Sequence, residues 1–554
     1  MAIRVAGFWG LAAAQVFAQS PPTCRLEGTV VDPMQRPVAG AEVRAEVSGE
    51  LVSRTFTDAE GAFVLAQLPW AVVTLRATAA APEIGAEWVD LLGLERHHVS
   101  IVTAPARRVT GVVRDDAGTA MPLAWVVAAP FDCDRLALAS TMVQCDTSGN
   151  FVLPHVAFGK NLLRAWAPDH DAFEGEVDGN RDAFVECRVE RDASQERFFV
   201  LTGDTSRAPT AALDLTVLHG GFPLPLPAAL RRIPLIDGRW TVRGWSFADA
   251  MVVRATIGGA PAVPVRYDFP EGSGRRERAF ADRGEAGRLT GRIVGARGPH
   301  SAWIVIERVD NDARVPLRTF TRSGDDGTFV AAVPVEPDDG FRLRVLDPTL
   351  AVDRTGPQRS PWFCARHDGT TKHTIGVHPA HSIRVRIERP DRTPVPGAMV
   401  RIVEQSSSKW VGGWQAEVAS GTTARDGSLT MVGLDLDADV SLTCLVDSPA
   451  GWCDEAFVTT GATLTDLGTL VVDPGAAVVV TSVDTKNEAI GGSRLWLGAG
   501  RSPAISWSDR DGRLRLSGLR AQSLVVRSQT RPEDEVVLAI PAHGVLTANI
   551  KTAP

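Results

Sequence analysis

Few residues in this chain could do chemistry, and two groups stand out by type and spacing. Cys364-Ala365-Arg366-His367, followed closely by His373, His378 and His381, gathers four of the eleven histidines and a cysteine into one short stretch. Thiolate and imidazole suit zinc or copper, so a metal centre is the chemistry such a group would serve. The competing reading is a closing strand with its preceding loop: on a period-two strand His373 and His378 point to opposite faces, which works against a shared ion. The second group is Trp410 and Trp414, in the polar stretch Ser406-Ser407-Ser408-Lys409-Trp410-Val411-Gly412-Gly413-Trp414-Gln415. Exposed indoles can stack on sugar rings while nearby polar groups fix orientation. The alternative is a hairpin whose tryptophans fold back on their own module. Trp70, in Leu68-Pro69-Trp70-Ala71, is a third ligand-binding candidate of the same kind. Of the 14 tryptophans, Trp125, Trp240, Trp303 and Trp496 lie in or beside apolar strands and read as core.

Catalytic signatures are missing. There is no His-Glu-x-x-His, no His-x-x-Glu and no Gly-x-Ser-x-Gly, which argues against zinc peptidases and serine hydrolases of the usual designs. No Walker loop or dinucleotide glycine pattern implies a cofactor, and none is expected. A formal net charge of −8 with both signs interspersed speaks against nucleic acid, which needs a concentrated basic face. The seven cysteines are few for this length, so disulfides would be local staples. Cys133 and Cys145 flank a hairpin-length segment and form one candidate pair; Cys444 and Cys453 form another.

What must position all of these is a turn that recurs along the chain. Thr57-Asp58-Ala59-Glu60-Gly61-Ala62-Phe63-Val64-Leu65 returns around Gly149, Gly238, Gly327, Gly427 and Gly512, at nearly even intervals of which Gly327 to Gly427 is the longest. That is a module period. Asp accepts backbone hydrogen bonds, Gly takes a positive φ, and apolar residues at the second and fourth places after Gly make a half-buried strand. A calcium loop is the other reading of Ser508-Asp509-Arg510-Asp511-Gly512, but the distal bidentate glutamate of an EF-hand is missing. With 51 glycines and 36 prolines and little helical periodicity, the composition is that of a β-rich protein.

Gly28-x-Val30-x-Asp32, then Pro37-Val38-x-Gly40-Ala41-x-Val43, then Thr57-Asp58-x-x-Gly61-x-Phe63-x-Leu65 resembles the carboxypeptidase regulatory-like domain, a transthyretin-like β-sandwich. Thr110-Gly111-Val112-Val113-Arg114-Asp115 with Asp146-x-x-Gly149-x-Phe151 repeats the pattern, and Pro394-Val395-Pro396-Gly397-Ala398 restores its middle part. The resemblance implies a non-catalytic module, found beside metallocarboxypeptidases and in bacterial surface proteins, that supports folding, spacing and partner binding.

The expected organisation is all-β: a signal peptide over 1–18, module one over 25–105, module two over 107–190 and a divergent module three over 198–267. A flexible linker over 270–287 follows, then modules four (288–379), five (382–473) and six (475–554). Module three is expected to open at Leu213-Asp214-Leu215-Thr216-Val217, with its proline-rich 222–227 stretch as an edge or loop. Closing strands pass straight into the next opening strand, which predicts an extended array with restricted bending. One cation at Arg4 and an apolar run from Val5 to Val16 read as a secretory leader, and no later segment approaches a membrane-spanning helix. The expectation is a monomeric structural or binding array outside the cytoplasm, with envelope proteins or polysaccharide as partners; the alternatives are a carbohydrate-binding protein that uses the module-five tryptophans and an accessory subunit of an envelope peptidase or transport complex.

Overall fold

A computed structural model describes residues 23–552 with interruptions, the longer ones at 131–140, 191–197, 203–211, 224–230, 244–249, 269–274, 280–287, 309–317, 333–339, 353–362, 367–371 and 405–415, and without most side chains of module three. The leader, the Asp237-Gly238 turn, Trp410, Trp414, Cys133 and His367 lie outside the described residues.

The recurring turn anchors each sandwich. Gly61, Gly149, Gly327, Gly427 and Gly512 adopt φ of 71°, 75°, 77°, 75° and 76°, where a side chain is disfavoured. They also sit tight against the opening strand: a Cβ would lie 2.5 Å from the Val30 carbonyl at Gly61 and 2.4 Å from that of Ile387 at Gly427. One oxygen of each aspartate accepts from backbone amides, the bonding that a tight turn requires. Asp58 Oδ1 accepts from Glu60 and Ala62, and Asp146 Oδ1 from Ser148 and Asn150. In module six the holding residue is Asp509, which accepts from Asp511 and Arg513. Such donors favour the ionised form: the Asn150 amide holds Asp146, and the Thr328 and Ser428 hydroxyls hold Asp326 and Asp426, below the usual carboxylate range.

Every module then builds the same two layers. In module one a three-stranded sheet runs Ala62–Pro69, Thr23–Val31, then the start of His97–Asp115; the four-stranded sheet runs Glu50–Phe56, Glu42–Val47, Val72–Ala79, Glu83–Asp90. The opening strand pairs antiparallel with the strand after the turn and parallel with the closing strand. That parallel pairing recurs in all six modules. Between the layers lie the side chains that the period-two pattern points inward, such as Leu26, Val30, Phe63, Leu65, Leu75 and Ile101 in module one.

Register sets a second rule of the repeat. Gly28 faces Phe63, Gly111 faces Phe151 and Gly291 faces Phe329, and a Cβ on these glycines would sit 2.3 to 2.4 Å from the phenyl ring. In modules five and six the same pair is Val385 with Leu429 and Val480 with Leu514. Volume is conserved across the pair: large with none, or medium with medium. Gly28→Val should therefore destabilise module one by about 1–3 kcal/mol through overpacking. Adding Phe63→Leu should restore part of it in a double-mutant cycle read by hydrogen exchange in peptides of module one along a denaturant series.

Module three departs from the expected organisation. It opens at Phe198–Thr202, which pairs with Arg239–Arg243 and Arg275–Ala279, while Ala212–His219 belongs to the other layer. Its closing strand falls inside the stretch expected to be a linker, because Arg275-Arg276-Glu277-Arg278 carries no apolar alternation and backbone pairing alone defines it. The Phe222–Pro223 strand is an edge, as proline requires.

The expected extended array is corrected as well. Closing and opening strands are continuous, as one 19-residue strand His97–Asp115 for modules one and two and with only Ala380 between Lys372–Pro379 and His381–Glu388. Yet the array is not extended. Module one touches modules four, five and six, and module two touches module six, through buried side chains and hydrogen bonds. Short connectors limit local bending, but the apolar residues left on the outer faces find partners in distant modules. Among the described residues no helix is long and apolar enough to cross a membrane.

Candidate functional site

Of the candidate metal ligands, the side chains of His373, His378 and His381 are described, and they do not converge. His373 lies on the inward row of its strand with Ile375 and Val377, while His378 lies on the opposite row. His381 is buried in the next strand, with Nε2 2.8 Å from Thr465 Oγ1. Cys364 is in the strand Phe363–Arg366, at the edge of the other layer of module four. Among the described residues no group of three or more His, Cys, Asp or Glu side chains is arranged to hold a metal.

Of the described cysteines, Cys24, Cys145, Cys187 and Cys444 are buried in cores and Cys453 is half-buried. Cys145 is buried and free, and its expected partner Cys133 lies outside the described residues. Cys444 and Cys453 are both free; they are diagonal neighbours, because Cys444 faces Glu455 and Cys453 faces Val446. Burial pushes the Cys145 thiol up to about 11 and the Cys444 thiol up to about 12, away from the reactive thiolate.

Trp70 is not presented to solvent. It is 3% exposed and packs in the junction of modules one and four, edge-on to Trp303 at 6.3 Å and tilted on Phe320 at 6.2 Å. Beside it Arg318 bridges Asp90 of module one and Glu307 of module four, the Nε to Oε2 distance to Glu307 being 2.6 Å. Arg342 takes the other Glu307 oxygen, and Glu307 is 2% exposed. Burial alone would lower the Arg318 pKa, but hydrogen bonds and charge from Asp90 and Glu307 raise it above its ordinary value.

Other junctions follow the same logic of small polar anchors beside apolar contacts. Between modules one and five, Thr422 Oγ1 accepts from the His98 amide at 3.2 Å and donates to the His98 carbonyl at 2.7 Å. Where modules one, two and six meet, Trp507 packs with Ile84, Ala86, Ala104, Ala106 and Ala157. Arg494 lies 5.9 Å over that indole and donates to the Lys160 carbonyl at 3.0 Å. Between modules five and six, Arg520 grips Asp454 through two bonds of 2.6 and 2.7 Å and lies 4.3 Å over Trp452.

A buried hydroxyl in four modules is a feature the sequence reading missed. Four places before the turn glycine stand Thr57, Ser323, Thr423 and Ser508, each at most 6% exposed. Thr57 Oγ1 accepts from Ala41 and donates to Val38; Thr423 does so for Ala398 and Val395 at 2.9 and 2.6 Å. Ser323 and Ser508 accept from Ala302 and Ser493 in the same way. Cys145 and Pro234 occupy the place in modules two and three. The signal lay in the fixed offset from the glycine. Thr423→Val should destabilise module five by about 1–3 kcal/mol, since it strands one amide and one carbonyl. Thr423→Ser should lose far less in the same denaturation series.

No curated protein sequence matches the chain. Among solved structures it is similar to a streptococcal ancillary pilin, at 12% identity over 48% of this chain and 99% of that one, TM-score 0.19. It is also similar to GBS52, a minor pilin of Streptococcus agalactiae, at 17% identity over 32% and 97%, TM-score 0.19. The Bacillus anthracis TIE protein matches at 11% identity over 70% and 72%, TM-score 0.15. None of the three superposes on the chain as a whole. The sequence model of the carboxypeptidase regulatory-like domain matches residues 25–85, so the first of the six sandwiches carries that domain.

Proposed function

We propose that the chain is a non-catalytic scaffold acting outside the cytoplasm, which holds six sandwiches in a folded-back body and offers their loops to envelope proteins or polysaccharide. The observation that carries this reading is the set of buried contacts between modules distant in sequence, of which the Trp70, Trp303 and Phe320 cluster is the clearest. Buried aromatic and ionic contacts make relative module positions definite, which suits a scaffold.

Polysaccharide is the finer proposal for Trp410 and Trp414, which fall in the longest repeat interval, between Gly327 and Gly427. The mature chain, from Gln19, is passed over soluble and insoluble polysaccharides and over intact cell envelopes, beside a Trp410→Ala/Trp414→Ala variant. Retention on polysaccharide that the variant loses supports the indole site. Equal retention of both on envelopes alone supports protein partners, and a chain that runs free over every matrix contradicts the binding role.

A further inference from the structure

We propose that the junction of modules one and five is an acid-released latch, closed while the His98 imidazole is neutral and opened when that ring takes up a proton. His98 sits in the closing strand of module one and is 6% exposed. Its amide and carbonyl are both committed to Thr422 Oγ1 of module five, across 324 residues of sequence. The ring is covered by Gly397: a Cβ there would come within 2.6 Å of His98 Cδ2, and the glycine holds φ of +67°. Module five therefore touches this histidine through a hydroxyl and a bare backbone.

A protonated imidazole carries two N–H donors. Nδ1 of His98 is buried with no hydrogen-bond partner among the described residues. On the module-one side the charged group facing the ring is Glu27, its register partner in the parallel pair, and Glu27 is 9% exposed and already paired with Arg25 at 3.0 Å. On the module-five side, Thr422 and Gly397 carry no charge. Burial lowers the His98 pKa to about 4, with Glu27 pulling the other way without compensating. When the junction opens the ring returns to the ordinary value near 6.5. The latch is thus fully present above about pH 6.5 and weakens as pH falls toward 4, because the open state binds the proton more tightly.

The His98 amide is itself the reporter, since its hydrogen bond runs to module five. Residue-resolved hydrogen exchange at position 98 of the full chain, corrected for intrinsic rates, should show protection falling on the order of 30-fold between pH 7.5 and 5. His98→Gln and His98→Phe should show no such fall, and Thr422→Val should lack the protection already at pH 7.5. A wild-type amide equally protected at pH 7.5 and 5 overturns the proposal, as does the same pH profile in wild type and both variants. If both variants dock poorly, the wild-type imidazole decides by NMR: a His98 resonance titrating together with the loss of protection supports the latch, and one titrating apart from it overturns the latch.

Discussion

Glu307→Ala is expected to destabilise module four by about 3–5 kcal/mol, the usual consequence of removing one partner from a buried ionic group. Glu307 is 2% exposed and holds two guanidiniums, Arg318 on one oxygen and Arg342 on the other. Without it the charge of Arg318 loses its acceptor within module four, in a site with 9% side-chain exposure, and leans on Asp90 across the junction. The Glu307→Gln variant retains an acceptor for one arginine and should lose less. The chain has six modules and will not unfold in one step. The readout is therefore hydrogen exchange in peptides of module four along a denaturant series. A loss under about 0.5 kcal/mol, the range of an ordinary surface substitution, would mean that the network does not hold the junction.

Trp70→Ala should have an effect of similar size, about 3–5 kcal/mol, because it empties an aromatic site that neighbours from two modules enclose. The loss should register in both modules, with Trp303, Phe320 and Leu346 losing the ring they pack against. Polysaccharide retention should be unchanged. The opposite outcome, stable modules with lost retention, is what a sugar-stacking indole would give. Trp70→Phe should fall between, as its smaller ring keeps part of the packing against Trp303.

The turn and the strand pattern were legible in sequence because both are local. Asp58 and Gly61 close the turn within a few positions of one another, and Phe63 with Leu65 declares which face is inward. The Gly28 and Phe63 pairing could be read as a motif, but its physical content emerged only with register, which links two different strands. Module three shows the limit of pattern reading. Arg275-Arg276-Glu277-Arg278 looks like solvated linker, yet it closes a sheet by parallel backbone pairing with Phe198–Thr202.

The junctions were not legible at all. Nothing in Leu68-Pro69-Trp70-Ala71 distinguishes an indole that faces sugar from one that faces another module. The deciding fact is that Trp303, three modules further along the chain, lies at 6.3 Å. His98 and Gly397 are equally silent in isolation; the first is one of eleven histidines and the second belongs to an ordinary turn motif. For the metal candidate, period-two geometry already set His373 against His378, and the strand Lys372–Pro379 keeps that arrangement.

Small-angle scattering of the chain from Gln19 onward, at pH 7.5, is the direct test of the folded-back body. Six modules with a radius of gyration of about 12 Å each, set in a line, would give roughly 55 Å, and one compact body of this length about 24 Å. A folded-back chain should give a value below about 40 Å, rising in Glu307→Ala and in Trp70→Ala. A wild-type value close to that of the linear arrangement, unmoved by either substitution, would contradict the folded-back body.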